Sequence, residues 1–286
     1  MTVRIAAEAS RAGFCELEWG LANPGPDVPG VHPPDCDLMD TQLRFEILPQ
    51  PDHLTCGPTC LHAIYRFFRD PISLDQVIDE IPQLEDGGTL AVVMACHALR
   101  RGYSATIVTY NVHVFDPTWF KPGARPLAES LEAQGRSADS SRRKLASQEY
   151  LDFLKLGGKL RMEDLTSELI RRFLKNSTPI LTGLSATYLY RAKRELGRDS
   201  IPDDVRGFPV GHFVVLCGYD QSNRTVLLAD PLQPNPLANE QTYALGIDRV
   251  KNAILLGIVT HDANLLIIEP RTSRKRVPSA DPHHRE

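Results

Sequence analysis

A chain of 286 residues is one large domain or two modest ones, and 42% hydrophobic with 24% charged residues is material for a sizeable core. Lys and Arg number 32 against 36 Asp and Glu, a net charge of −4, which excludes the clustered basic excess of a broad nucleic-acid surface. The longest apolar runs, such as Ile254 to Val259, fall far short of the ~20 residues that span a bilayer, and Glu8 interrupts the N-terminus before a signal-peptide core can form. Six cysteines, at positions 15, 36, 56, 60, 96 and 217, are too sparse for a disulfide-stapled secreted scaffold. A reduced, cytoplasmic protein with no membrane and no nucleic-acid partner is expected.

Taken in chain order, residues 1–40 read as an appendage. Val3, Ile5 and Ala7 alternate with polar or small residues, as do Cys15, Leu17 and Trp19, which suits a hairpin. Asn23 to Gly30 and Pro33-Pro34 then read as a stiff linker. After Cys56-Gly57-Pro58 the spacing of Cys60, Ile64 and Phe68 predicts a helix. Ser73 to Gln76 is a capping-box pattern opening a helix to Ile81, and Thr89 can cap another from Leu90 to Arg101, ended by Gly102. Tyr103 to Tyr110 reads as a strand. Residues 124–176 read as a more polar helical insertion, interrupted near Ser137–Ser141 and at Gly157-Gly158. Strands are expected at Pro179–Thr182, Val210–Tyr219, Thr225–Ala229 and Asn264–Ile268, with a helix at Asp248–Leu256. Residues 271–286 are basic and without apolar period, a disordered tail. Helices first and most strands later favour α+β, with residues 41–270 as the main domain.

The densest chemical signal is Gln50 to Cys60. A cysteine opening a helix meets the positive end of the macrodipole and unpaired amides, both of which favour a thiolate. Gly57 leaves space for close approach of a substrate, and Pro58 suits the first helical turn. Gln50, six residues upstream, can swing its amide beside the sulfur and join the Cys56 backbone amide as an oxyanion donor. A thiolate nucleophile needs a base and an orienter. His212 opens the apolar strand Gly211 to Leu216, and Asp230 ends the following strand, so the two meet at the open end of a hairpin.

Gln-x5-Cys-Gly-Pro, Gly-His-Phe-Val-Val-Leu and Ala-Asp-Pro, in this order, resemble a papain-like cysteine peptidase. The nearest branch is the bacteriocin-processing peptidases that cut leader peptides after double glycine; phytochelatin synthase is a more distant relative. The resemblance covers roughly Leu43 to Asp230. It implies an α+β papain-like fold with Cys56 as nucleophile, His212 as general acid/base, Asp230 as orienter and Gln50 in the oxyanion hole. It also implies a peptide or amide substrate and no metal or organic cofactor. The membrane spans and transporter ATPase that usually follow such domains are missing from this sequence, so a stand-alone peptidase or amidase is the expectation, and leader cleavage is not carried over.

Other readings stand beside this one. The same acyl-enzyme serves a peptidyl or acyl transferase, and a papain-like fold can be a silent binding module. His53, Cys56, Cys60 and His62 contain metal-ligand types but lack a paired Cys-x2-Cys knuckle. Asn111, His113, Asp116 and Trp119 follow a strand and could line a cleft without being catalysts. Cys60 and His97 read as structural.

Overall fold

The computed structural model describes residues 31–32, 40–84, 87–138, 141–197, 200–260 and 262–271. The expected N-terminal hairpin, most of the linker, Cys15, Cys36 and the tail beyond Arg271 lie outside the described residues.

Two short strands come first, β1 (Val31–His32) and β2 (Thr41–Gln42). The helix α1 (Cys56–Phe67) buries every residue from Cys56 to Tyr65, a helix apolar nearly all round and so enclosed by its neighbours. In α2 (Leu74–Glu80) Ser73 acts as the N-cap, its Oγ accepting from the Gln76 amide at 3.1 Å. The next helix, α3 (Ala91–Arg100), departs from expectation. Thr89 does not cap it, because its hydroxyl donates to the Pro82 carbonyl at 3.3 Å. The Ala91 amide donates instead to Asp262 Oδ1 at 3.1 Å, a cap from 171 positions away.

Strand β3 (Tyr103–Thr109) is followed by α4 (Leu127–Ser137) and α5 (Ser141–Lys155), which pack on each other. The insertion is not purely helical. Beyond Gly157, at φ 87°, the chain enters β4 (Lys159–Arg161) before α6 (Ser167–Lys175), whose first turn is capped by Thr166. Then come β5 (Ile180–Ser185), the short α7 (Ala186–Tyr190), and a two-stranded arm of β6 (Glu195–Leu196) and β7 (Ile201–Pro202). The chain continues through β8 (Gly211–Asp220), β9 (Thr225–Ala229), β10 (Thr242–Gly246), α8 (Ile247–Leu256) and β11 (Asn264–Pro270).

The main sheet runs β1-β10-β9-β8-β5-β11-β3-β4, with β2 also pairing β8. Every pairing is antiparallel except β3 with β4. The protein is α+β, with helices laid on a mostly antiparallel sheet. Strand β8 has nine consecutive buried residues after Gly211, the mark of a central strand covered on both faces. It pairs β5 on one side and β9 on the other, and α1 packs against it. The helix that opens at Cys56 is thereby fixed to the strand that opens at Gly211-His212. Cys60 Sγ donates to the Phe213 carbonyl at 3.3 Å across that seam.

Candidate active site

Cys56 is the first residue of α1, and Thr55 offers no side-chain cap to the helix. The loop before it is organised by Asp52. The Asp52 carbonyl accepts from Gln50 Nε2 at 2.8 Å and from Thr55 Oγ1 at 3.1 Å, and its carboxylate accepts the Leu54 amide at 2.8 Å. This Asx-type turn delivers the chain into α1 with Cys56 at the front. Gly57 has a different use from the one expected. A Cβ there would sit 2.8 Å from Thr89 Cγ2, 3.1 Å from Met94 Sδ and 3.2 Å from the Phe213 ring. The missing side chain serves the packing of α1 on α3 and β8, and Gly57 is itself buried, so it offers no approach path to a substrate.

His212 is the second residue of β8, and Asp230 follows the last residue of β9. The register places Ala229 opposite Val215, so the carboxylate reaches diagonally along β8 to the imidazole. His212 Nε2 and Asp230 Oδ1 are 2.9 Å apart, with the two side chains 7% and 0% exposed. With Nε2 engaged, Nδ1 is the nitrogen left to face Cys56. Burial by itself lowers the His212 pKa; the Asp230 charge and hydrogen bond, with a contribution from the Cys56 thiol, reverse this and hold it well above its ordinary value. Burial likewise opposes the Asp230 charge. His212, the Tyr243 hydroxyl and the Leu232 amide outweigh it and hold the carboxyl below the usual range.

Cys56 and His212 open on a cleft of about 670 Å³. One wall is the turn before α3, including Leu84, Gly87, Gly88 and Thr89, and the other is the arm of β6 with Phe208 and Val210. Asn111, His113, Asp116 and Trp119 are not among its lining residues; Asp116 instead starts a 3-10 turn, accepting from the Thr118 amide at 2.8 Å. His53 does line the cleft. Among the described residues the free cysteines are Cys56, Cys60, Cys96 and Cys217. Burial pushes the last two thiols up to about 12, and pushes Cys60 well up with help from Cys56 and Asp230. Cys56 is the cysteine on the cleft.

Gln50 is tied to the chain next to Asp230, its backbone amide donating to the Pro231 carbonyl at 2.9 Å, and it is not among the residues lining the cleft. Its Nε2 donates to Asp52, and its Oε1 is buried without a partner. Three further residues close on Asp230 that the sequence did not disclose. Tyr190 and Tyr243 donate their hydroxyls to Oδ2 at 2.7 and 2.6 Å, and Asn235 Nδ2 donates to the same oxygen at 2.9 Å. Nothing in the local sequence of β10 or α7 marks those tyrosines; the pairing of β10 with β9 brings in Tyr243, and the packing of α7 on β5 and β8 brings in Tyr190.

A sequence profile described as "Peptidase_C39 like family" matches residues 137–253, a stretch that contains His212 and Asp230 and stops short of Cys56. Three solved structures are similar at low identity. A double-glycine motif protease from an AMS/PCAT transporter, determined with its leader peptide, is 12% identical, covering 82% of this chain and 96% of its own at a TM-score of 0.39. A C39-like peptidase from Bacillus anthracis is 13% identical, covering 82% and 98% at 0.40. The peptidase domain of Streptococcus ComA, a bifunctional transporter of a quorum-sensing pathway, is 12% identical, covering 80% and 100% at 0.37. No curated protein matches the chain. No helix among the described residues is long and apolar enough to cross a membrane.

Proposed function

We propose that this chain is a papain-like cysteine peptidase in which Cys56, His212 and Asp230 form the catalytic triad and Gln50 completes the oxyanion hole. The observation that carries the reading is His212, bonded to a fully buried carboxylate through Nε2 and placed beside the cysteine at the mouth of the cleft. In the reaction His212 takes the thiol proton, and the thiolate attacks the carbonyl carbon of a peptide or amide bond. The Cys56 amide and one hydrogen of Gln50 Nε2 hold the oxyanion; the other hydrogen stays on Asp52. Collapse breaks the C–N bond, and His212 returns the proton to the departing amine. Water then attacks the thioester carbon, His212 takes a proton from it, and the acid leaves with the Cys56 thiol restored.

Limiting iodoacetamide at mildly acidic pH tests the assignment. Peptide mapping should find Cys56 modified first, and His212→Ala should slow that modification sharply. Labelling spread over other cysteines with Cys56 inert would remove the activated nucleophile. Gln50→Ala should lower kcat by roughly 10²–10³ with KM little changed; a change in KM alone would make Gln50 a substrate contact. Turnover that rises with an added amine rather than in water alone would mark a transferase.

A further inference from the structure

Asp230 is 0% exposed, yet its two oxygens collect five donors. Oδ1 receives His212 and the Leu232 amide at 3.0 Å, and Oδ2 receives Tyr190, Tyr243 and Asn235. An ionised carboxylate has about four lone-pair sites, so this one is saturated. The Oδ2 donors come from three separate places, α7, β10 and the loop after β9, and all three are neutral. Both tyrosine hydroxyls keep their protons, since burial first and Asp230 second push their pKa values far up. Such donors stabilise the anion without neutralising it, and among the described residues His212 is the cationic group bonded to it.

We infer that Tyr190, Tyr243 and Asn235 are positioning residues of the triad, holding Asp230 as a fixed anion with Oδ1 turned to His212. The inference rests on the triad proposed above. Its geometry is anchored at a distance. Ser185 caps α7 through the Tyr188 amide at 3.3 Å, and Arg249 of α8 donates to the Leu189 carbonyl, next to Tyr190. The groups facing Asp230 are His212 from β8, Cys60 from α1, Tyr190 from α7 and Tyr243 from β10, with Cys56 acting on His212, Cys60 and Tyr190 and Arg249 acting on Tyr243 from α8. Loss of a neutral donor raises the pH at which Asp230 takes a proton. Once Asp230 is protonated, the imidazolium is no longer anchored beside Cys56.

The test uses the full chain and iodoacetamide, with the alkylation rate of Cys56 followed against pH by peptide mapping. In Tyr190→Phe and Tyr243→Phe the acid limb of that profile should move up by about one pH unit each, the size of one charge-assisted hydrogen bond. The double variant should move it further. Asn235→Asp, which sets a second carboxylate against Oδ2, should move it furthest. Loss of melting temperature with the limb unmoved in all four would make these residues packing only and overturn the inference while the triad stands. A wild-type Cys56 whose rate shows no dependence on His212 would bring down the triad and this inference together.

Discussion

Two histidines in this molecule look alike on paper and differ in what they can do. His97, in α3, is 8% exposed, with Nε2 2.8 Å from Glu80 and Nδ1 2.8 Å from the Tyr65 hydroxyl. His212 is equally buried, with Nε2 on Asp230. The first ring has both nitrogens occupied by fixed partners and lies in the core, packed against Tyr65 with Arg101 over that tyrosine at 5.5 Å. The second keeps a nitrogen for a thiol at a cleft. The carboxylates differ too: the Glu80 side chain is 44% exposed and screened by solvent, whereas Asp230 is sealed off. What sets the His212–Asp230 pair apart is the nitrogen it leaves toward Cys56 and the dryness of its acid, and neither is visible in the pair itself.

Exchanging each ring for glutamine, which keeps an amide donor, separates the two histidines most sharply. His212→Gln should lower turnover by roughly 10⁴ or more, while His97→Gln should keep kcat/KM per folded molecule and lower the melting temperature. An equal loss of turnover in both would erase the distinction. Next in size is the acid. Asp230→Asn should lower kcat by roughly 10²–10⁴, whereas Glu80→Gln should leave it unchanged and cost a small drop in melting temperature that shrinks with added salt.

The dependence of stability on pH sharpens the same contrast. His212 has a raised folded pKa, so its contribution is complete below its unfolded value near ~6.5 and is lost as pH rises through the folded value. Asp230 has a lowered one, so its contribution is complete above about 3.9 and is lost as pH falls through the folded value. Melting temperature against pH should therefore fall on both sides in the wild type, and Asp230→Asn should flatten both flanks. Glu80 is also lowered, first by Gln76 and then by His97, so Glu80→Gln acts on the acid flank only and least of all. A wild-type curve with no alkaline fall would contradict the ion pair.

The elements legible in the sequence are those with a local cause. The buried runs of β8 and β9, the serine cap of α2 and the stripe of α1 were readable because period and capping are properties of short windows. The strand β10 and helix α7 were not, though they deliver Tyr243 and Tyr190 to the site. The Asp262 cap on α3 escaped for the same reason: its donor and acceptor lie 171 positions apart. Cys56, His212 and Asp230 stand out in the sequence because reactive residue types sit at element ends, which is itself a local signal. Their neighbours owe their placement to the register of the sheet. Gly57 was found and misread, since a missing side chain looks the same in sequence whether its space goes to substrate or to Phe213.

The seam between α1 and β8 bears on the order in which the site is assembled. Cys60 and the Phe213 carbonyl that holds it are 153 positions apart. While the chain is being synthesised the Cys56 thiol leaves the ribosome long before the His212 imidazole exists, and β8 can take its central place only after β5 is there to flank it. On the triad proposed above, the nascent chain holds its nucleophile without its base until most of the sheet has been made.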